Sequence, residues 1–365
     1  MAPRICLNMI VKDESPVIGR CLDSVRPLID SWVIVDTGST DGTQDLIRRH
    51  FADLPGELHE RAWRNFGHNR SEALALARGK ADYVLIMDAD DELEIRDDVD
   101  KAALEADAYD VTFLGGGIEF VRSILLSNRL PWRFEGVLHE YVTADGEYSR
   151  GHFPGARVIE HREGARTRGV SGDVKYGRDA VVLEAALLDE PDNARYVFYL
   201  AQSYRDSSQP AKALAAYERR ARMCGWDEEL WYSLYQMAKL SETLELDPAV
   251  VIYRYLEAYQ NRPTRAEPLA DLARFHRIRS EWALAHLFAS QSLDIERPAD
   301  RLFVGSACYD WICLDEYAIA CYWIGDHSEC QRVCRKLLAS PLLPENERER
   351  VSANLDHSLR AAQPA

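Results

Sequence analysis

Three aspartates within four positions, Asp88, Asp90 and Asp91, follow the apolar run Tyr83-Val84-Leu85-Ile86-Met87. Carboxylates crowded in this way repel one another unless a cation sits among them. A divalent metal held by one or two carboxylates and shared with phosphate oxygens is chemistry that uses such a cluster. The competing reading is an acidic turn facing water, because Glu92, Glu94, Asp97 and Asp98 come next and charge runs are commonly solvated. A second acidic position closes another apolar run: Trp32 to Val35 ends in Asp36-Thr37-Gly38-Ser39-Thr40-Asp41-Gly42-Thr43. The glycines there let backbone approach a ligand closely.

The elements that must position these residues alternate along the N-terminal half. Ile5 to Val11 reads as a strand stopping at Lys12-Asp13-Glu14-Ser15-Pro16, where Ser15 is placed as an N-cap and Pro16 at the first helical position of a helix running to about Val25. Trp32 to Val35 is the second strand, followed by a helix over Gln44 to His50, and a helix over Asn69 to Arg78 leads into the acidic strand. This order predicts an α/β domain with a mostly parallel sheet, whose ligands lie beyond the carboxyl ends of its strands. From Asp110 to about Arg168 the pattern is irregular, with strands expected at Asp110 to Leu114, Ile118 to Val121 and Arg157 to His161.

After Gly172 the texture is helical throughout. Helix pairs are expected to begin near Asn193 and Pro210, Asp227 and Pro248, Thr264 and Glu281, and Tyr309 and His327. The first members recur after 34, 37 and 45 residues, close to the ~34-residue tetratricopeptide period with the last repeat stretched. We expect an all-α solenoid closed by a polar helix over Asn346 to Ala362, and a domain border between 170 and 171. Tryptophans 226, 231, 282, 311 and 323 are read as core, in preference to a glycan or peptide groove. Cys330 and Cys334, near His327, are read as small buried residues.

Composition narrows the class further. A formal charge of −16 argues against nucleic acid as partner, since that affinity rests on clustered Lys and Arg. Eight cysteines without a paired Cys-x-x-Cys pattern, and no secretory leader before the first strand, point to reduced thiols and a cytoplasmic setting. The apolar runs are far short of the ~20 residues of a transmembrane segment.

Taken together, Cys6-Leu7-Asn8-Met9-Ile10-Val11-Lys12-Asp13-Glu14, Val33-Ile34-Val35-Asp36-Thr37-Gly38-Ser39-Thr40-Asp41-Gly42-Thr43 and Met87-Asp88-Ala89-Asp90-Asp91 resemble a family-two glycosyltransferase over about the first 165 residues. The continuation resembles a bacterial subgroup fused to tetratricopeptide repeats. The resemblance implies a GT-A fold, a nucleotide-sugar donor, a divalent metal (Mn2+ or Mg2+) and inversion at the anomeric carbon. It places Lys12, Glu14, Asp36, Gly38, Asn69, Arg70, Asp88 and Ala89 around the nucleotide sugar, with Asp36 accepting from a pyrimidine ring N–H. Asp88-Ala89-Asp90 corresponds to the Asp-x-Asp element, the first carboxylate facing ribose and the second the metal, with Asp91 in reserve. Arg70 reads either as a nucleotide contact or as a helix-surface arginine.

Trp132-Arg133-Phe134-Glu135-Gly136-Val137-Leu138-His139-Glu140 resembles the subgroup's Gly-x-x-His-Glu element. That implies Glu140 as the catalytic base with His139 as neighbour or substitute; a strand-end salt bridge or turn is the alternative. His161 falls where such enzymes supply a further metal ligand, and it could equally be a structural histidine. Arg166, Arg168 and Lys175 read as a basic loop over the diphosphate or as a coat on the domain junction.

The function expected is therefore metal-dependent, inverting transfer of a hexose-type sugar from a uridine diphosphate donor. The acceptor is a protein, peptide or glycan reached through the repeats, which could also build a homodimer. A tetratricopeptide scaffold with an inactive glycosyltransferase-like domain is the alternative.

Overall fold

A computed structural model describes residues 2–96 and 99–362 of the chain; Asp97 and Asp98 of the acidic run lie outside the described residues. The first elements alternate: β1 (Ile5–Val11), α1 (Ile18–Val25), β2 (Ser31–Asp36), α2 (Thr43–His50), β3 (Gly56–Glu60), α3 (Phe66–Ala77) and β4 (Tyr83–Ile86). β1 pairs in parallel with β2 and β4, and β2 with β3, so four carboxyl ends share one edge of the sheet. Register places Asp36 beside Val11 and Ile86 beside Asn8. The acidic ends of β2 and β4 therefore emerge at the same end of the sheet, one on each side of β1.

The remaining strands are β5 (Glu92–Ile95), β6 (Ala108–Gly115), β7 (Ile118–Ser127), β8 (Arg133–Glu135), β9 (Tyr141–Thr143) and β10 (Arg150–Ile159). They complete an eight-stranded sheet in the order β3-β2-β1-β4-β7-β6-β10-β5, with β8 and β9 as a separate ribbon. β7 runs antiparallel to β4 and β6, which turns the sheet from parallel to mixed beside the acidic strand. Burial explains the sequence pattern: β1, β2 and β4 are covered on both faces and read as nearly continuous apolar runs. Asn8 is the polar exception in β1, and its amide donates to the carbonyls of Val33 and Ala73 at 3.1 and 2.9 Å, tying β2 and α3 to the central strand.

Two helix starts differ from the sequence expectation. α1 begins at Ile18, two positions beyond Pro16, because Glu14 O accepts the amides of Val17 and Ile18 while the Ser15 amide donates to Asp41 at 3.0 Å. α3 begins at Phe66, capped by Asn65, whose Oδ1 accepts from His68 N at 2.8 Å.

From Gly172 the chain is helical: α4 (Gly172–Asp189), α5 (Ala194–Asp206), α6 (Pro210–Ala221), α7 (Asp227–Thr243), α8 (Pro248–Asn261), α9 (Glu267–Ile278), α10 (Trp282–Ser292), α11 (Cys313–Trp323), α12 (His327–Ala339) and α13 (Glu345–Ala361). The expected helix pairs and closing helix are present as an all-α solenoid of tetratricopeptide type, and a π-helical turn at Cys308–Ile312 precedes α11. α4 is an additional helix ahead of the first expected pair, and it packs on α5. The change from strands to helices lies near residue 170, whereas compactness divides the chain between Gln209 and Pro210. α4 and α5 therefore belong to the sheet-containing unit.

Within the helical unit, Trp231 is fully buried under the guanidinium of Arg265, 3.8 Å from the ring centroid. Trp226 and Trp323 depart from the core reading, being 36% and 54% exposed. Cys330 and Cys334 are buried among Val333 and Leu337.

Two glycines make opposite predictions. A Cβ on Gly67 would lie 2.4 Å from the Gly136 carbonyl oxygen, whereas one on Gly19 would meet nothing within 4 Å. Gly67→Ala should lower stability by about 1–3 kcal/mol in urea melts, and Gly19→Ala should raise it by about 0.5–1 kcal/mol. Equal midpoints for the two variants would refute the close approach of α3 to residue 136.

Candidate active site

The carboxyl ends of β1 and β2 are laced into one wall. Asp13, in a left-handed conformation, donates its amide to Ser39 Oγ at 2.8 Å and accepts from Thr40 N at 2.7 Å. Glu14 N donates to Thr43 Oγ1 at 2.9 Å. Asp36 is only 1% exposed, and its Oδ1 accepts from Gly38 N and Ser39 N, both at 2.9 Å. Gly38 makes this turn at φ +109°, a conformation that disfavours any side chain. The second oxygen, Oδ2, is buried without a partner. A buried carboxylate oxygen left in this state is costly, and it marks the place where a ligand donor would fit. Lys12 stands exposed just before this wall.

Beyond β4, Asp88 lies between two arginines. Its Oδ1 accepts from Arg70 Nη2 on α3, and its Oδ2 is 3.4 Å from Arg122 Nη1 on β7. Burial alone would raise the Asp88 pKa, but the charges of Arg70 and Arg122 outweigh it and bring the carboxyl down to about 2. Asp91 is 4% exposed, and burial, reinforced by the charge of Asp88, pushes it up to about 8. Two carboxyls three residues apart thus differ in charge at neutral pH. Ala89, between Asp88 and Asp90, is buried.

Arg70 also reaches the opposite wall. Its Nε is 2.6 Å from Glu140 Oε1, an ion pair in which the N–H is not aimed for a hydrogen bond, and Phe134 lies under the guanidinium at 5.6 Å. Arg70 is 7% exposed, so it is neither the helix-surface arginine nor, in this arrangement, a side chain extended toward a nucleotide. It bridges the acidic strand to the residue expected to act as base. Asn69, next to it, is fully buried with its amide spent on Arg64 N and Ala62 O at 2.9 and 3.0 Å. Its side chain holds the chain entering α3 and is not turned to a ligand.

A third wall is residues 161–168. Gly164 N donates to Asp90 Oδ2 at 2.8 Å, and Ala165 N donates to both carboxylate oxygens of Glu14 at 3.1 Å. Burial raises Glu14 to about 7 against the pull of the Ala165 bond, with the charge of Asp90 adding to the rise. Arg168 donates to Asp13 O at 2.7 Å, and Arg166 pairs with Asp179 on α4. Lys175 lies over the Tyr176 ring. His161 Nε2 is 2.9 Å from Glu92 Oε2, so that ring nitrogen is engaged by β5. Among the described residues no group of three or more His, Cys, Asp or Glu is gathered as a metal cage. The donors here fit a cation held by one or two carboxylates and completed by phosphate oxygens, with Asp90 offering the oxygen that Gly164 leaves.

The loop carrying Glu140 is fixed from two sides. Gly136, at φ +112°, lies against α3, and Phe134 N donates to Ser71 Oγ at 2.9 Å. On the other side α5 takes hold: Val137 N donates to Tyr196 Oη at 3.3 Å, and Arg195 donates to His139 O from Nε and Nη2 at 3.1 and 3.0 Å. The His139 ring stacks on Tyr199 at 4.0 Å and 6°. The residue as a whole is exposed, but Tyr199 covers one face of its ring; that local desolvation and the charges of Arg195, Arg166 and Lys175 lower its pKa.

Residues 6–168 match Glycosyl transferase family 2. A TPR repeat-containing protein of Synechococcus elongatus is 29% identical over 315 residues, spanning 80% of this chain and 75% of that protein. The SPbeta prophage-derived glycosyltransferase SunS of Bacillus subtilis is 33% identical over 89 residues, 24% of this chain and 20% of that protein. The crystal structure of S. aureus TarS 1–349 in complex with UDP-GlcNAc aligns at a TM-score of 0.32 and 15% identity, over 72% of this chain and 90% of that one. The N-terminal region is thus a family-two-like glycosyltransferase domain joined to a tetratricopeptide-type solenoid.

In this glycosyltransferase-like domain the structure brings Asp36, Asp88, Asp90, Arg70 and Glu140 to the carboxyl edge of the sheet and its flanking loops. Sequence reading missed Arg122, Glu92 and the α5 residues Arg195, Tyr196 and Tyr199. Arg122 lies on a strand expected to end at Val121, and β7 in fact runs on to Ser127.

The Arg70 bridge is testable by stability. Arg70→Ala leaves Asp88 and Glu140 without their shared cation and should cost about 3–5 kcal/mol in urea unfolding. Adding Glu140→Ala should restore more than about 1 kcal/mol by removing the carboxylate left without Arg70, while Asp88 keeps Arg122. A loss below about 1 kcal/mol for Arg70→Ala would show that the bridge contributes nothing.

Proposed function

We propose that the domain transfers a sugar from a uridine diphosphate donor to a hydroxyl or other nucleophile of a protein, peptide or glycan, with inversion. The observation that carries this reading is the unpartnered Asp36 oxygen on the same carboxyl edge of the sheet as the Asp88-Ala89-Asp90 carboxylates, with β1 between them. Asp36 Oδ2 accepts the pyrimidine N–H, a carboxylate there preferring uracil over cytosine, whose ring nitrogen has no proton to donate. Gly38 lets the base approach the backbone, and Lys12 and Glu14 flank it. Asp88 faces the ribose, and Asp90, with Asp88 beside it, holds a divalent ion, Mn2+ or Mg2+, which when bound neutralises charge on the diphosphate. Glu140 takes the acceptor's proton as the acceptor attacks the anomeric carbon, and the neutral His139 lines the same approach. The helices from Pro210 onward supply surface for recruiting the acceptor.

One observation favours a second reading, a scaffold with an inactive domain: the carboxylates of Glu14 and Asp90 already accept backbone N–H groups of residues 164 and 165. Release of UDP from UDP-sugars in the presence of Mn2+ separates the two. Asp90→Ala should lower turnover at least about 100-fold, and Glu140→Gln about 100- to 10,000-fold with donor binding retained. A UDP-sugar at 100 times its dissociation constant should stabilise the wild type by about 2.7 kcal/mol. Neither turnover nor stabilisation by any UDP-sugar would leave only the scaffold.

A further inference from the structure

We infer that Arg195, on α5, is a positioning residue for Glu140, so that the first helix in the tetratricopeptide-like series works for the catalytic site. The inference rests on the glycosyltransferase reading above.

The backbone at 139 carries the argument. His139 adopts φ +52°, a left-handed conformation that is unfavourable for a residue with a Cβ and persists where surroundings over-determine it. The surroundings that do so are on α5. Residues 195, 196 and 199 share one face of that helix, whose N-terminus is set by Asn193 Oδ1 accepting Tyr196 N at 3.1 Å. From this face Arg195 places two N–H groups on the His139 carbonyl, Tyr199 stacks on the imidazole, and Tyr196 Oη accepts the Val137 amide. The guanidinium of Arg195 is itself held between the Tyr141 and Tyr199 rings, 5.2 and 4.9 Å from their centroids.

The carbonyl that Arg195 grips belongs to the peptide unit joining His139 to Glu140. Fixing that unit fixes the Cα from which the Glu140 side chain departs, while Arg70 holds the carboxylate at the far end. Neither constraint alone sets the base: an ion pair restrains one end only, and the left-handed backbone at 139 fixes only the other. A displacement of about 1 Å at a proton-transfer group is enough to lower a rate about 100-fold.

The test uses the full chain and follows UDP release from a panel of UDP-sugars with Mn2+, water serving as the acceptor. Arg195→Ala should lower kcat about 10- to 100-fold, with the donor KM within about twofold and Tm within about 2 °C, since Arg195 is only half-buried. In a Glu140→Gln background the same change should lower single-turnover rates less than about twofold, because Arg195 acts through the residue already disabled. Tyr196→Phe, which removes only the hydroxyl acceptor, should also lower kcat at unchanged donor KM, and it serves if Arg195→Ala is unstable. A kcat within twofold of wild type for both variants, or an equal fold-loss with and without Glu140, overturns the inference. A wild type that turns over no UDP-sugar would instead sink the glycosyltransferase reading itself.

Discussion

The arrangement of this domain depends on one buried cation. Arg70 is enclosed by the sheet edge, α3 and the residue 134–140 loop, and a guanidinium so placed is tolerable only because carboxylates meet it from two directions. Asp88 comes from the parallel sheet and Glu140 from the ribbon that follows the antiparallel strands. One charge therefore fixes the spacing between the part of the fold that resembles a donor cradle and the part that presents the proposed base. Arg122 adds a second cation at Asp88, so the strand-end carboxylate stays ionised despite its surroundings.

That constraint orders the rest. The glycines at 67 and 136 allow α3 and the loop to come close enough for Arg70 to span them. The change from parallel to antiparallel pairing at β7 brings Arg122 beside the acidic strand. α5 completes the enclosure by setting the backbone at His139, which explains why compactness assigns two helices to the sheet-containing unit.

The strand ends were legible because β1, β2 and β4 are covered on both faces and so read as apolar runs with abrupt polar stops at Lys12, Asp36 and Asp88. The helical series was legible because its helix starts recur after 34 and 37 residues, with the last interval stretched to 45. Contacts made across long sequence separations left no local mark: Arg70 with Glu140, His161 with Glu92 and Arg195 with His139 join residues about 60 or 70 positions apart. Asn69 shows the limit in the other direction. Its neighbourhood matched a nucleotide-binding pattern, yet full burial and two backbone partners give it a structural task. Ser15-Pro16 likewise carried a helix-start signature that yielded to the competing bond between the Ser15 amide and Asp41.

The amides of Gly164 and Ala165 have a further consequence. They occupy Asp90 and Glu14 much as a positive ion would, so any newcomer to those oxygens must displace the protein's own chain. The affinity for such a newcomer would be the intrinsic one scaled by the fraction of molecules in which those N–H bonds are open.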